Sequence, residues 1–393
     1  MASGPWVFDT DTHITEEEDT WDSVDPAFSS NGLRIRTGKD RWRRLILGRK
    51  KLTILHPLVQ GEFDTMRVLT REDPRAYEKH IARRMAVPPP GPPVDPSEND
   101  AAARPAAMDA MGVSHAVIYP SLGLFWPHLV TDPELADAHH SAWNDWIAAR
   151  TAGLRHRLLP VAQYSFDDPR RTAAEIRRCR KLGLRGLFVQ AVPYRQLPWD
   201  HESYEPVWKA LERWDMPLLL HFSVLPANVV DAAWQGKRPA RHVGPSPQVV
   251  ASRSLPVEAA LTSLIFGGVL ERHPRLRIGI IEYGGSWVPS FLHRIDFAFD
   301  FISPRNRYLR ERLPLRPSGY FLRQVKVSAF WNEPLEWLIR SAGDTTFMFG
   351  SDYPHPEGNV QAVQLAQNNM GKLPRAAQRR FFRENARALF GES

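Results

Sequence analysis

The sequence predicts an α/β fold, a (β/α)8 barrel of the TIM type with a long insertion after the first strand. Eight short apolar or β-branched runs, each bounded by turn residues, predict strands. Helix-like segments such as "DDPRRTAAEIRRCRKLG" separate most of these runs. Strands that alternate with helices indicate a parallel sheet, and eight such units indicate that the sheet closes into a barrel. A chain of 393 residues has the length of one such barrel with insertions.

The predicted strands and helices follow one another along the whole chain, so we predict a single domain over residues 1–393. Several of the helical segments open with Asp or Ser near the first turn, as helix N-termini commonly do. The strands are predicted at residues 6–11, 115–120, 157–164, 185–190, 217–221, 276–282, 324–329 and 346–352.

Two long connections interrupt this alternation. Residues 14–114 separate the first two strands and contain the proline-rich stretch "AVPPPGPPVDPSEND". Loops of that length without structure are rare unless they are functional, so we predict an insertion folded over the barrel mouth. Residues 223–253 follow the fifth strand and are predicted to rim the same mouth. Trp42 and Trp234 in these segments can line a pocket or cover core, and core is the favoured interpretation.

The composition limits the classes of partner. Hydrophobic residues make up 43% of the chain, enough for a substantial core, and the formal net charge is +7. Basic residues cluster at 38–51, but no recognisable nucleic-acid module accompanies them, so we expect no nucleic-acid partner. We interpret the cluster as a solvated basic face, or as a surface that attracts an anionic substrate. Apolar runs such as "MPLLLHF" are too short to cross a membrane.

The single cysteine, Cys179, lies in "IRRCRK" and is predicted on a helix surface. One cysteine excludes an internal disulfide and a cysteine-based zinc site, and it favours a reducing, cytoplasmic location. A candidate metal motif already begins at Asp11, which leaves no room for a signal peptide before it. We therefore expect no targeting segment.

Exceptional polar residues stand where predicted strands end. The first strand leads into Asp11-Thr12-His13, the fifth ends in His221, the sixth in Glu282 and the eighth in Asp352. The C-terminal ends of barrel strands form the active-site face, and Asp, Glu and His are the nitrogen and oxygen donors of divalent metals. Residues two apart on a strand point to the same side, so Asp11 and His13 can both face the barrel axis.

Each of these residues has a plainer interpretation by itself. His221 can be a core histidine, Asp352 a helix cap, and Glu282 one partner of a buried salt bridge. Carboxylates and imidazoles on enclosed strands need a hydrogen-bond or charge partner. All of these residues are predicted at the same end of the barrel. Their joint placement therefore predicts a metal site.

A family resemblance follows from these motifs. "FGSDYPHPEG" resembles the terminal motif of the amidohydrolase-related family, also called amidohydrolase 2. This branch of the amidohydrolase superfamily contains aminocarboxymuconate semialdehyde decarboxylase and several aromatic-acid decarboxylases. "DTDTHITEEEDTW" resembles the opening of that family, "FGGVLERHPRLRIGIIEYGGSWVPSFLHRID" its sixth unit and "FFRENARALFG" its closing helix. The likeness covers nearly the whole chain.

The resemblance implies roles for individual residues. Asp11 and His13 match the paired metal ligands after the first strand, His221 the ligand after the fifth and Asp352 the ligand after the eighth. The resemblance implies one divalent ion, for which we expect zinc, with manganese as the alternative, and it implies a homodimer. His355 is expected near the rim and is a further catalytic candidate.

One position departs from the decarboxylase pattern. Those enzymes resemble "GHxGE" after the sixth strand, whereas this chain has "IEYGGSW", with Glu282 in place of the histidine and Gly285 in place of the glutamate. We therefore expect a metal-dependent hydrolase of a small aromatic or carboxylate-bearing, anionic molecule. Asp352 would accept a proton from a metal-activated water, and Glu282 is a second base candidate.

Two alternatives to hydrolysis stay open. The first is metal-dependent, non-oxidative decarboxylation, in which a proton is delivered to carbon. The second is a barrel that binds a ligand or partner without catalysis. Five histidines receive no role at this stage: His56, His128, His139, His140 and His242.

Overall fold

The computed structural model describes residues 6–28, 30–39, 43–55, 96–127, 129–223, 247–355 and 358–392. Parallel strands that pair in chain order form the barrel wall. They are β1 Val7–Ile14, β2 Val113–Pro120, β3 Leu158–Pro160 continued by Ala162–Gln163, β4 Leu187–Val189, β5 Leu218–His221, β6 Ile278–Ile281, β7 Val325–Phe330 and β8 Phe347–Gly350. The backbone N–H of His13 donates to the Tyr353 carbonyl at 2.7 Å, which joins the first strand to the segment after the last.

Helices alternate with these strands, and the predicted (β/α)8 barrel is confirmed. They are α1 Arg104–Met111, α2 Pro133–Arg150, α3 Pro169–Leu182, α4 Glu205–Arg213, α5 Leu255–Phe266, α6 Val288–Ile302, α7 Pro317–Gln324, α8 Leu335–Ala342, α9 Ala362–Asn369, and a C-terminal helix running through Arg375–Arg379, a π-helical turn Arg380–Glu384 and Asn385–Phe390. Asp132 and Asp168 cap α2 and α3, each accepting backbone N–H bonds ahead of a proline. These caps explain why the helices begin where the sequence predicted.

Short helical pieces complete the connections that the structure describes. They are Pro26–Phe28, Pro96–Asn99, Leu122–Leu124, Ala152–Leu154, Tyr194–Gln196, Glu202–Tyr204, Pro247–Ser252, Val269–Arg272, Ser303–Arg305 and Arg307–Arg312.

The inside of the barrel is apolar at its N-terminal end. Phe8 and Met348 are fully enclosed there, and the C-terminal helix closes the floor, where the Phe390 ring stacks on Phe8 at 5.9 Å. Enclosed side chains of this kind fill the interior of (β/α)8 barrels. Buried polar side chains lie instead at the C-terminal strand ends.

The segment between β1 and β2 contains an antiparallel sheet. Its strands are Leu33–Thr37, Arg43–Leu47 and Lys50–Leu55. Leu33 and Leu45 pack with Trp126, which follows β2, and the Leu33 N–H donates to His139 Nε2 at 2.8 Å. The sheet therefore packs near the C-terminal end of β2.

The predicted closure of the insertion over the barrel mouth stays a prediction. Of the second connection, residues 223–253, the structure describes Ser223 and residues 247–253, which include the helix Pro247–Ser252. The proline-rich stretch up to residue 95 lies outside the described residues, as do Trp42, His56, His128, Trp234 and His242.

Cys179 is buried, so its predicted place on a helix surface is wrong. Thr172, Glu175, Ile176 and Cys179 share the inner face of α3, which follows helical spacing. The basic neighbours of Cys179 are not on this buried face, and their charge led the sequence analysis to predict an exposed cysteine. No helix in the described part of the chain has the length and hydropathy needed to cross a bilayer. The expected cytoplasmic location and homodimer stay predictions.

Candidate metal centre

The end of β1 presents Asp11 and His13. The pairing of β1 with β2 shifts register between Asp9 and Thr12, which bends this strand end. His13 Nδ1 donates to the Pro120 carbonyl at 2.9 Å, which fixes the ring so that Nε2 faces the neighbouring carboxylates. That Nε2 lies 3.4 Å from Asp11 Oδ1. A backbone acceptor that fixes the ring in this way is typical of metal-binding histidines.

His221 ends β5 and has the same arrangement. Its Nδ1 donates to the Phe222 carbonyl at 2.7 Å, and its Nε2 lies 3.3 Å from Asp11 Oδ1. The Glu282 carboxylate, just after β6, comes within 3.5 Å of His221 Nδ1. Both histidines therefore direct Nε2 toward the Asp11 carboxylate.

Asp352 and His355 enter from the chain after β8. The Asp352 N–H donates to the Asp11 carbonyl at 2.9 Å, and its Oδ1 lies 3.5 Å from His13 Nε2. His355 Nδ1 is 2.9 Å from Asp352 Oδ1, and its ring stacks on His13 with centroids 3.8 Å apart. His355, expected near the rim, is thus nearly enclosed, with its Nε2 3.3 Å from Ser121 Oγ.

The predicted site residues converge. Two overlapping groups have ligand atoms within 4.8 Å of one another, and they share His13: the first is Asp11, His13 and His221, and the second is His13, Glu282, Asp352 and His355. All are buried. The structure thus brings together every residue proposed from the sequence as a ligand or a catalyst, and their individual roles stay predictions.

The electrostatics of the centre favour a bound cation. Burial would raise the pKa of Asp11, but the neighbouring imidazoles of His13 and His221 lower it below its usual range. Burial would lower the pKa of His13, but Asp11 and Asp352 raise it to about 9. Burial lowers the pKa of His221. Among the described residues, His13 Nε2 and both Asp352 oxygens make no hydrogen bond.

Burying several carboxylates beside side-chain atoms that make no hydrogen bond costs folding free energy unless a group of opposite charge lies among them. A divalent ion bound by imidazole nitrogens and carboxylate oxygens supplies that charge, so the donor set fits such an ion. A metal-binding site is therefore present at this end of the barrel.

Sequence reasoning missed two residues of the centre. Asp9 Oδ1 accepts from the N–H groups of Asp11 and Ser351, and burial raises the pKa of Asp9 to about 7. The Tyr119 ring lies 4.7 Å from the His221 ring. The alternation Asp9, Asp11, His13 along one strand was a usable signal for the first residue. Nothing in the sequence around Tyr119 signals the second.

The turn after β6 explains why a glycine stands in place of the decarboxylase glutamate. A Cβ at Gly285 would lie 2.8 Å from Phe347 Cε1 and 3.1 Å from Leu338 Cδ1, so this position has no room for a glutamate. Glu333 accepts hydrogen bonds from the N–H groups of Gly285 and Ser286 at 2.9–3.0 Å. The glycine is thus part of a packed turn that follows Glu282.

The family model described as amidohydrolase matches residues 80–391. The chain belongs to the amidohydrolase family. His221, Glu282, Asp352 and His355 lie inside the matched segment, and this amidohydrolase is an enzyme of the amidohydrolase superfamily. Asp11 and His13 precede the matched segment, and the barrel geometry joins them to the other four.

Curated and solved relatives agree with this placement. The amidohydrolase is 26% identical over 299 residues to a gamma-resorcylate decarboxylase of Rhizobium radiobacter, covering 71% of this chain and 86% of that protein. It superposes on an amidohydrolase of Mycobacterium avium subsp. paratuberculosis K-10 with a TM-score of 0.78 and 23% identity, over 98% and 99% of the two chains. A dihydroxybenzoic acid decarboxylase of Polaromonas sp. JS666, solved with manganese and 2-nitroresorcinol, superposes with a TM-score of 0.63 and 18% identity, over 98% and 97%. The two solved structures support the fold.

Proposed function

We propose that this amidohydrolase is a metal-dependent, non-oxidative decarboxylase of a small aromatic or unsaturated carboxylic acid. The observation that carries the proposal is the buried cluster of Asp11, His13, His221 and Asp352, in a chain whose curated relatives include a gamma-resorcylate decarboxylase. This reverses the order expected from the sequence, where hydrolysis led. The similarity at 26% identity supports the class of reaction and leaves the choice of acid open.

Asp11, His13, His221 and Asp352 would hold the ion, with Glu282 as an additional ligand. When bound, the ion acts as a Lewis acid that neutralises and orients a carboxylate and a neighbouring oxygen of the substrate. An oxygen-rich donor set suits manganese as well as zinc, and the Polaromonas decarboxylase holds manganese. We therefore propose manganese ahead of the zinc expected from the sequence.

The chain's own residues supply the proton. Decarboxylation replaces the bond between the substrate carbon and its carboxylate by a C–H bond and releases carbon dioxide. We assign this proton delivery to Asp352, whose Oδ1 lies 2.9 Å from His355 Nδ1. His355 Nε2 in turn lies 3.3 Å from Ser121 Oγ. This series of close polar contacts can return a proton to Asp352 after each turnover.

Hydrolysis remains the second candidate because of one observation, the exchange of the decarboxylase histidine and glutamate for Glu282 and Gly285. In a hydrolase, Asp352 or Glu282 would take a proton from the attacking water.

The deciding experiment follows carbon dioxide and solvent oxygen together. Manganese-loaded protein is incubated in H2(18)O with a panel of hydroxybenzoates, such as 2,6-dihydroxybenzoate, and of unsaturated carboxylic acids. We expect release of carbon dioxide in a one-to-one ratio with a product that carries no solvent oxygen. Solvent oxygen in the product without release of carbon dioxide would establish hydrolysis and overturn the proposal.

A further inference from the structure

A large cavity opens beside the metal centre, at the C-terminal ends of β3 and β4. Its volume is about 1200 Å³, and Phe188 forms part of its wall. The Phe188 ring lies 5.7 Å from the His221 ring and 6.3 Å from the Tyr119 ring. The cavity and the metal centre are therefore separated by one aromatic side chain. Its volume exceeds what a single-ring acid needs, since small-molecule sites commonly occupy roughly 300–1,000 Å³.

The walls of this cavity are mainly apolar and aromatic, with Tyr164 and Trp199 among them. Three uncharged polar side chains also line it, and they are almost completely enclosed: His140, Gln163 and Gln190, with 2%, 2% and 6% of their surface exposed. Gln190 Nε2 makes no hydrogen bond within the described part of the chain, whereas the His140 imidazole and the Gln163 side chain pair with each other. The cavity thus offers one unused amide donor.

These side chains are held in place through their other atoms. Gln163 Nε2 donates to the Gly123 carbonyl at 2.7 Å, and the Gln163 backbone N–H donates to Asn144 Oδ1 at 2.8 Å. His140 lies beside the Gln163 amide, and burial lowers the pKa of His140 to about 3, so its imidazole is neutral. The enclosed polar groups therefore carry no charge.

Buried polar atoms in native proteins nearly always have a partner, because an unmade hydrogen bond costs the full desolvation of the group. An unpartnered amide donor that lines a cavity indicates a partner that arrives from outside the chain. We propose that the cavity is a subsite for the far end of the substrate and takes an uncharged aromatic group that bears a hydroxyl. The oxygen of a phenolic hydroxyl can accept from Gln190 Nε2.

This inference rests on the proposed function for the position of the reacting carboxylate at the metal centre. It narrows the substrate class to acids larger than one ring, with the carboxylate at one end and a phenol at the other. The aromatic wall, which includes Phe188 and Trp199, would pack against the rings.

Calorimetric titration tests the subsite with two matched pairs of probes. The first pair is 6-hydroxy-2-naphthoate and 6-methyl-2-naphthoate with manganese-loaded protein. The second pair, 2-naphthol and 2-methylnaphthalene, lacks the carboxylate. We expect the hydroxyl-bearing member of each pair to bind roughly tenfold more tightly, a ratio that corresponds to about 1.4 kcal/mol. Gln190→Leu should remove most of this preference and leave manganese content unchanged.

Gln364→Leu is the matched control, because Gln364 lies on the exposed side of α9, and it should keep the full preference. Gln190→Leu removes an amide nitrogen that has no partner, so the Tm of this variant should not fall. If the leucine variant fails to fold, Gln190→Met is measured in its place. Equal binding of 2-naphthol and 2-methylnaphthalene to the unmodified protein would overturn the subsite, as would an unchanged preference in the Gln190 variants. Because 2-naphthol has no carboxylate, its binding tests the subsite alone. Failure of the proposed decarboxylation would instead appear as a lack of carbon dioxide release.

Discussion

Glu282 and Asp352 leave their strands in the same left-handed backbone conformation, with φ angles of 62° and 58°. Residues other than glycine adopt this conformation rarely, at a cost of about 1–3 kcal/mol each. Both carboxylates face His13 in one cluster, although they follow different strands. The backbone is therefore bent at both positions to direct an acid toward the same point, which makes the two residues the natural targets for substitution.

Glu282→Gln should slow carbon dioxide release, because the amide keeps the shape but removes the negative charge that Glu282 would offer the ion as an additional ligand. We expect a fall in turnover on the order of 10²-fold. Glu282→His should retain measurable release, since histidine occupies this position in the decarboxylase pattern. Glu134→Gln, at an exposed position on α2, is the control. A Glu282→His variant with no residual release would instead favour the hydrolase.

Asp352→Asn keeps an oxygen donor but removes the carboxylate that faces His355. We expect part of the bound metal to remain while turnover drops on the order of 10²-fold. Elemental analysis and steady-state kinetics on one preparation separate the two effects. Asp132→Asn is the matched control, because asparagine caps α2 as well as aspartate does. Near-normal turnover would remove Asp352 from the mechanism.

His221→Ala should lose most of the bound metal. Its Nε2 points at Asp11 from the end of β5, and alanine offers no donor in its place. Elemental analysis after exhaustive dialysis measures the loss, with His201→Ala as the control at an exposed position. Full metal retention in His221→Ala would contradict the ligand assignment.

Gly285→Ala should destabilise the fold by about 1–3 kcal/mol, the usual cost of overpacking. The added methyl group would meet the buried ring of Phe347 at 2.8 Å. Gly319→Ala in α7 meets nothing closer than 3.7 Å and should be neutral or stabilising, since alanine favours helix over glycine by up to about 1 kcal/mol. Urea unfolding compares the two variants. Equal free energies of unfolding would show that the Gly285 turn has more room than described.

Cys179 should not react with Ellman's reagent in the folded protein and should react fully after unfolding in guanidinium. It is buried, and burial raises the pKa of its thiol well above the usual value, so the reactive thiolate is scarce. The absorbance of the thionitrobenzoate released from the reagent measures the reaction. Rapid labelling under native conditions would place Cys179 back on the surface that the sequence suggested.

The barrel could be predicted because its enclosed strands are short apolar runs in the sequence. A polar residue that ends such a run is easily recognised. His221 and Asp352 were found for this reason. The burial of Asp9 was not found, because its hydrogen bond to the Ser351 N–H joins residues 342 positions apart. The lack of room at Gly285 likewise depends on Phe347, which belongs to another strand.

The cavity residues show the same limit. Gln163 and Gln190 look like ordinary polar residues at strand ends, and only packing shows that both are enclosed and that Gln190 Nε2 has no partner among the described residues. Cys179 was misplaced because its basic neighbours outweighed the helical spacing. The local sequence pattern thus identified the proposed ligands at strand ends. Residues whose role depends on partners far away in the sequence could be found only from the structure.

The seam between β1 and β8 has a consequence for biosynthesis. Asp11 belongs to the first strand and Asp352 follows the last, and the Asp352 N–H bonds directly to the Asp11 carbonyl. The four proposed ligands therefore come together only after the ribosome has produced the eighth strand. Because an ion that binds only the folded chain stabilises it, metal uptake would mark the end of a folding process dominated by distant contacts. A nascent chain halted before β8 would lack Asp352 and have an incomplete centre. Tight metal binding would therefore distinguish the completely synthesised chain from a truncated one.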